Sequence, residues 1–454
     1  MLLGLAGRAL GLGGVPFVVR VTDDATGRGV PLVELTTLDQ VAFVTDSAGV
    51  VAIDDPALLG RRVFFHVTSP GYEVRQRVFG EVGAVLEVRP GGSAELSIHR
   101  QDIAERLYRV TGEGIYRDSV LAGRPVPIAR PLENGGVLGQ DTVTTALYHG
   151  RIYWIWGDTT GFARYNFGAS GATSELPGRG GLDPALGIDL HYFTGEEGFS
   201  RPMLPLSEPG LVWIEGLFTV RDPSGTERLL ATYTRQAGLT PPLECGVALF
   251  DDSRNVFVPW RRRPCAGSHR SSHPFRLSVG GRDYWYLYPH LRVPDDWAAI
   301  GDPARWESYV RTAEGRWAWR PGEVRSDPAA TGLFPLADAR TGKATGAYPS
   351  CVTWNAFRRR WILLAERVGD VYYAEADRPE GPWREAVRVV HHEHYNFYNV
   401  ASHPFFDQQD GRIIYFEGTY TATFSDARHQ TPRYDYNQVM YRLRLDDPRL
   451  ALAH

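Results

Sequence analysis

The stretch GQDTVTTALYHGRIYWIWGDT, residues 139–159, reads as two strands folded on a turn. Alternating residues run up to His149 and Gly150, and an aromatic-rich run returns from Arg151 to Asp158. Period-two alternation on both sides of a Gly-containing turn marks a β-hairpin. The same unit recurs four more times. First strands start at WIEGLFTV (213–220), SHPFRLSVGG (272–281), YPSCVTWNAF (348–357) and ASHPFFDQQDG (401–411). Second strands follow at ERLLATYTR (227–235), RDYWYLYPH (282–290), RRWILLAERVGD (359–370) and GRIIYFEGTY (411–420). Outer strands are plain in GVALFDD (246–252), DVYYAEAD (370–377) and NQVMYRLRL (437–445). Five such units cannot each bury a face alone, whereas arranged radially they can. The pattern predicts an all-β chain whose larger part, residues 115–448, is a five-bladed β-propeller. The spacing exceeds the usual blade of about 40–45 residues. The excess lies in Gly/Pro-rich insertions at 168–210, 291–345 and 421–435. A solenoid or a double sandwich is the alternative arrangement.

In a propeller the first strand of each blade starts, and the second ends, on one face near the central axis. Strand starts then bring Asp141, Glu215, His273, Ser350 and His403 to that mouth. Strand ends add Asp158, Arg235, His290, Glu366 and Glu417. The tripeptide His-Pro-Phe occurs twice, from His273 and from His403, each time ahead of an aromatic strand. Two explanations compete. Either the histidines line the mouth, or His bonds a neighbouring blade while Phe fills the seam. Trp156, Trp213, Tyr288, Tyr398, Tyr420 and Arg433 join Arg235, His290 and Glu366 as candidate substrate-binding side chains, because aromatic faces suit stacked sugar rings.

Residues 15–100 read as short strands between Gly/Asp turns, the pattern of a small β-sandwich. GVPL at 29–32, TDSAG at 45–49 and SPGY at 69–72 resemble the transthyretin-like or carboxypeptidase-regulatory-like fold. That resemblance implies an accessory module without chemistry. Residues 101–114 are expected to form a linker helix, with Ile103, Leu107 and Val110 on one face and Gly112 and Gly114 ending it. The opening MLLGLAGRALGLGG reads as an atypical export signal, a disordered arm or a short helix.

The formal net charge is −4, and the Arg runs at 261–263 and 358–360 are short. A solvated loop explains both, so nucleic acid is excluded as a partner. No apolar run is long enough to span a membrane. Three cysteines, an odd count, argue against a dense disulfide framework. A Cys245–Cys265 bond and free buried thiols fit the sequence equally.

Glycosidic hydrolysis generally uses two carboxylates, one a protonated acid and the other a base or nucleophile. Asp141 lies at the start of the first inner strand in a Gly-flanked approach, which makes it the base candidate. Asp158 is close by hairpin geometry and would tune it through like-charge coupling. Glu215, between an aromatic and a glycine, is the acid candidate, its pKa raised if Trp213 lies over the carboxyl. Glu417 and Glu366 are reserves. The histidines open a second chemistry. His273, His290 and His403 with a nearby acid could hold a divalent cation. They could equally act as base in β-elimination from a uronic-acid polymer, with a metal or Arg235, Arg276 or Arg433 neutralising the carboxylate and Tyr288, Tyr398 or Tyr420 the acid. HHEH at 391–394 follows an edge-like strand and is expected to be a loop. GxSxG, HExxH and CxxC are absent.

DVYYAEADRPEGPW (370–383) and the opening hairpin resemble the five-bladed propeller glycoside hydrolases, the broad group around family 43. The resemblance spans roughly residues 108–448. It implies hydrolysis of glycosidic bonds in a poly- or oligosaccharide, with Asp141 as base, a carbohydrate as partner and no required cofactor. It also implies work outside the cytoplasm, secreted or periplasmic. The group's second-blade aspartate and third-blade acid find no match, because this chain offers Glu215 and His273 there. A polysaccharide lyase and a non-catalytic carbohydrate-binding propeller are the alternatives. Homo-oligomerisation through the front domain is a further option.

Overall fold

The computed structural model describes residues 15–162, 168–195, 197–239, 241–263, 265, 273–322 and 334–453. The opening apolar stretch lies outside them. The chain divides into two compact units. One runs to Arg100 and takes in Tyr116–Val126, and the other joins Gln101–Ile115 to everything from Pro127 onward.

The first unit is a β-sandwich. One sheet holds Val50–Ile53, Phe17–Asp23, Ser93–Arg100 and Tyr72–Glu73 in that order. The other holds Ala42–Val44, Glu34–Thr37, Arg61–Thr68, Glu81–Val88 and Arg77–Val78. Alternation in the sequence becomes alternation in burial: Val19, Val21, Leu35, Phe65, Val67 and Leu96 face a single core between the sheets. The TDSAG turn is held by Asp46, whose Oδ1 accepts from Ala48 N at 2.9 Å and Val50 N at 3.2 Å. Gly49 takes φ +73°, and a Cβ there would stand 2.5 Å from Val21 O, so the turn requires glycine. The sandwich also claims residues 116–126, which the sequence assigns to the propeller. Asp46 Oδ2 accepts from Ser119 N at 2.7 Å, and Asp118 accepts from Ala52 N at 3.0 Å.

Among the described residues the second unit holds five sheets that follow one another along the chain, each built on four antiparallel strands from inner to outer. The first blade is Val143–Tyr148, Arg151–Gly161, Ala169–Glu175 and His191–Tyr192, with Val137–Gln140 paired to the end of its second strand. The second is Leu211–Arg221, Glu227–Gln236, Glu244–Asp251 and Val256–Arg263. The third is Phe275–Val279, Arg282–Tyr288, Leu291–Pro294 and Glu307–Arg311, extended by Trp317–Pro321. The fourth is Tyr348–Asn355, Arg360–Arg367, Asp370–Ala376 and Glu385–His391, flanked by Ala337–Asp338. The fifth is Asn396–Ser402, Ile413–Thr421, Asn437–Arg444 and, outermost, Glu105–Arg109. This is the five-bladed propeller, its ring closed by a strand from the far end of the domain.

Two expectations are corrected here. Residues 101–114 hold no helix, for Glu105–Arg109 is a strand antiparallel to Asn437–Arg444. All five of its residues are buried. Of Ile103, Leu107 and Val110 only Leu107 lies within the strand, and three apolar positions are too few to tell a helix from a strand. The fifth inner strand is not ASHPFFDQQDG but Asn396–Ser402, one element earlier. Its alternation is disguised by a bulge between Tyr398 and Ala401, where Asn399 has φ +51°. The two HPF copies therefore occupy opposite ends of inner strands. His273 precedes its strand, whereas His403 follows its own and caps the short 3-10 turn Pro404–Phe406. Proline cannot donate to a ladder, and both prolines sit where pairing stops.

Cys245 and Cys265 form a disulfide, and Cys351 is a buried free thiol. Among the described residues, no helix is long and apolar enough to cross a membrane.

Candidate active site

Asp141 occupies the link between Val137–Gln140 and the first inner strand. Its Oδ1 accepts from Asp158 N at 2.8 Å, and its Oδ2 accepts from the Tyr398 hydroxyl at 2.9 Å. The WGD sequence explains how it fits: a Cβ on Gly157 would lie 2.5 Å from Asp141 Oδ1. Gly157 N in turn donates to Asp141 O at 2.8 Å. Burial pushes the Asp141 carboxyl up to about 7, and the Asp158 charge adds to the rise. Hydrogen bonds from Tyr398 and Tyr436 oppose it. Asp158 is pinned by Trp213 of the second blade, whose Nε1 donates to Oδ1 at 2.7 Å. Glu215 lies two residues further along that strand and accepts from Thr234 Oγ1 at 3.0 Å.

β-Bulges recur at this face. They lie between Val137 and Gly139, Trp156 and Asp158, Ile214 and Gly216, and Tyr398 and Ala401. Each breaks the strict two-residue repeat and re-aims side chains. That is how Asp141, Asp158, Trp213 and Tyr398, from three blades, come together.

Other candidates do different work. Trp156 is fully buried, its ring 6.2 Å from Trp154 and 5.4 Å from Tyr192. Arg235 pairs with Glu244 at 3.6 Å and donates to Pro209 O at 2.8 Å. Tyr288 donates to Pro349 O at 3.2 Å, linking the third blade to the fourth, and its ring meets His290 edge-on at 4.5 Å. Glu366 is buried and accepts from Val400 N at 2.8 Å, fastening the fourth blade to the fifth. Tyr420 is buried against Tyr395, with its hydroxyl on Thr431 at 2.8 Å. Arg433 pairs with Glu113 at 3.5 Å. Burial pushes His273 down to about 3, with a smaller contribution from His403.

His403 and Glu417 are not at the mouth. Both are 0% exposed, with Nε2 and Oε1 2.8 Å apart. The His403 ring sits 5.1 Å from Trp154, and Phe405 and Phe406 each lie 6.0 Å from the same indole. At 403–406 the motif is thus a device that fills the seam between the fifth and first blades. Phe275 does the same for the third and fourth, 4.9 Å from Trp361. A buried pair that loses one partner leaves an uncompensated polar group, at a cost of about 3–5 kcal/mol. His403→Ala is therefore expected to lower the urea midpoint strongly while leaving the pH dependence of activity in place.

HHEH at 391–394 has no joint role. His391 Nδ1 contacts Asp370 at 2.7 Å, His392 is buried beside Tyr441, and His394 is exposed. Among the described residues, no group of three or more His, Cys, Asp or Glu could hold a metal ion. Tyr436 has no counterpart among the residues singled out from the sequence. It lies beyond the 421–435 insertion, and only its place just ahead of NQVMYRLRL hints at the mouth.

No protein-family model matches the chain, and no curated protein matches it. Solved structures do. The GH43_1 enzyme from Xanthomonas citri complexed with xylose is 11% identical, with a TM-score of 0.36, over 67% of this chain and 86% of that one. The endo-arabinase from Bacteroides thetaiotaomicron VPI-5482 is 10% identical, with a TM-score of 0.34, over 69% and 97%. The alpha-L-arabinofuranosidase from Fusarium graminearum is 10% identical, with a TM-score of 0.32, over 76% and 99%. Likenesses this distant carry nothing about residues or activity, and the fold assignment rests on the sheet order itself.

Proposed function

We propose that this protein hydrolyses glycosidic bonds in a poly- or oligosaccharide, with Asp141 as general base and Glu215 as general acid. One observation supports this reading: Asp141, held by Asp158 N at 2.8 Å and by the Tyr398 hydroxyl at 2.9 Å, has its carboxyl pushed up to about 7 by burial and by the Asp158 charge. A base works best when its pKa lies close to the working pH, where it is both ionised and strong. Asp141 takes the proton of the attacking water, and Glu215 protonates the departing sugar oxygen. Trp213, its indole fixed by Asp158, offers a flat face for a sugar ring. The Cys245–Cys265 disulfide supports a place outside the cytoplasm, since such bonds persist in oxidising compartments.

The test is release of reducing ends from a panel of neutral and acidic oligosaccharides. Activity should rise with pH through about 7 as Asp141 ionises. Glu215→Gln should lose about a hundredfold to ten-thousandfold on natural sugars. It should lose far less on aryl glycosides, whose leaving groups need no proton. Equal losses on both substrate types would remove Glu215 as the acid. No cleavage across the panel would remove the hydrolase assignment.

A further inference from the structure

Asp141 is held from across the ring closure. One oxygen faces Asp158 N and the other the Tyr398 hydroxyl, and both of these are donors. Tyr436 also acts on the ionisation of Asp141 and of Tyr398. Among the described residues, the titratable groups that act on Asp141 include Asp158 from its own blade and two tyrosines from the fifth.

The backbone around them is unusual. Thr142 has φ +45°, Asn399 +51° and Tyr436 +59°. Left-handed backbone is rare for a β-branched or bulky residue and persists only where its surroundings over-determine it. Here they do. Asn399 Nδ2 donates to Thr142 Oγ1, and Thr142 N donates to Thr419 Oγ1 at 3.1 Å. Gln140 N donates to Tyr436 O at 2.8 Å. Gln438 Nε2 donates to Gln140 O at 3.2 Å and to Thr419 Oγ1 at 2.8 Å. Residues 140–142 are therefore strapped to the fifth blade on both sides of Asp141. The strapping fixes the carboxylate relative to the two tyrosines.

We propose that Tyr398, seconded by Tyr436, is a positioning residue that keeps Asp141 an acceptor and aims it at the mouth. The proposal rests on the hydrolase assignment and deepens it, because it says which partner of the carboxylate pair accepts the proton. A backbone N–H can only donate, and it takes one carboxylate oxygen permanently. With a phenol donating to the other, an ionised Asp141 is satisfied on both oxygens. Of its roughly four acceptor sites, some remain for a water. A carboxyl proton on Asp141 would take one of the sites left for that water and weaken the bonds the two donors make. A hydrogen bond to the charged form favours that form, so the phenols work against the burial of the site.

The test uses the full-length chain with Tyr398→Phe and Tyr436→Phe. In Tyr398→Phe the acid limb of kcat/KM should move up by about one pH unit, with a smaller move in Tyr436→Phe. Above the limb, activity should recover to within about tenfold of the parent. A purely structural role would lower kcat at every pH without moving the limb, and that result overturns the proposal. A second readout needs no substrate. The difference in urea midpoint between the parent and Asp141→Asn follows the ionisation of Asp141. The pH of that step should rise by the same amount in the Tyr398→Phe background. If the step moves and no sugar is ever cleaved, the tyrosine role stands and the hydrolase assignment falls. If sugars are cleaved and neither limb nor step moves, the tyrosine role falls alone.

Discussion

Asp141→Asn should abolish turnover, by about a thousandfold or more, and should make the protein more stable at pH 8. The two effects share one cause. A carboxyl whose folded-state pKa lies near 7, against an ordinary 3.8, keeps its proton in the folded state at pH values where the unfolded chain has already released it. Stability then falls as pH rises from about 4 to about 7, and the deficit persists above 7. An amide never ionises and escapes that penalty. Each pKa unit corresponds to 1.36 kcal/mol, and the variant should gain about 2 kcal/mol or more at pH 8. Urea titrations of both proteins at pH 4 and pH 8 decide it. The gap should be small at pH 4 and open at pH 8. A variant no more stable at pH 8 would show that Asp141 is not the group ionising at a cost.

Leu107→Asp should destabilise the protein severely. Leu107 is fully buried in the strand Glu105–Arg109, between Arg106 and Tyr108, which are also buried. An aspartate there forfeits an apolar side chain and buries a carboxyl without a partner, at a combined cost of about 4 kcal/mol or more. It would release the strand that completes the fifth blade, and the seam with the first blade would loosen with it. Both unfolding and loss of activity should follow. Circular dichroism and activity at rising temperature should fall together, many degrees below the parent. A variant that kept the parent's melting temperature would mean the ring does not depend on this strand.

Much of the propeller was legible in the sequence, and the reasons are physical. Second strands such as ERLLATYTR and GRIIYFEGTY are long, regular and bounded by turn formers, so their pattern survives folding. What misled was local irregularity at the mouth. Asn399 breaks the alternation of NFYNVAS, so the eye moves on to HPF and misplaces a strand. Ile103, Leu107 and Val110 are too few positions to separate helix from strand, and the pairing of Glu105–Arg109 with Asn437–Arg444 decides it. At the site, Asp141 and Asp158 were legible because they sit on one hairpin. Tyr436 was not, because nothing in a lone tyrosine before a strand tells which blade it will meet. His403 and Glu417 look like mouth residues in the sequence because a three-residue motif carries no depth. Only the seam around Trp154 shows that they are buried.

The closing strand also sets an order of events during synthesis. Glu105 and Arg442 lie 337 residues apart in the chain and bond side by side in the finished fold. The strand ERLYR therefore leaves the ribosome long before its partner exists, and it must wait as an unpaired edge. Three of its five residues are charged, the composition that keeps a free edge from pairing with strangers. Arg442 meets Glu105 only when the last blade arrives. The straps that hold Asp141 belong to that same fifth blade, so a growing chain cannot fix this carboxylate until the strand Asn437–Arg444 is made.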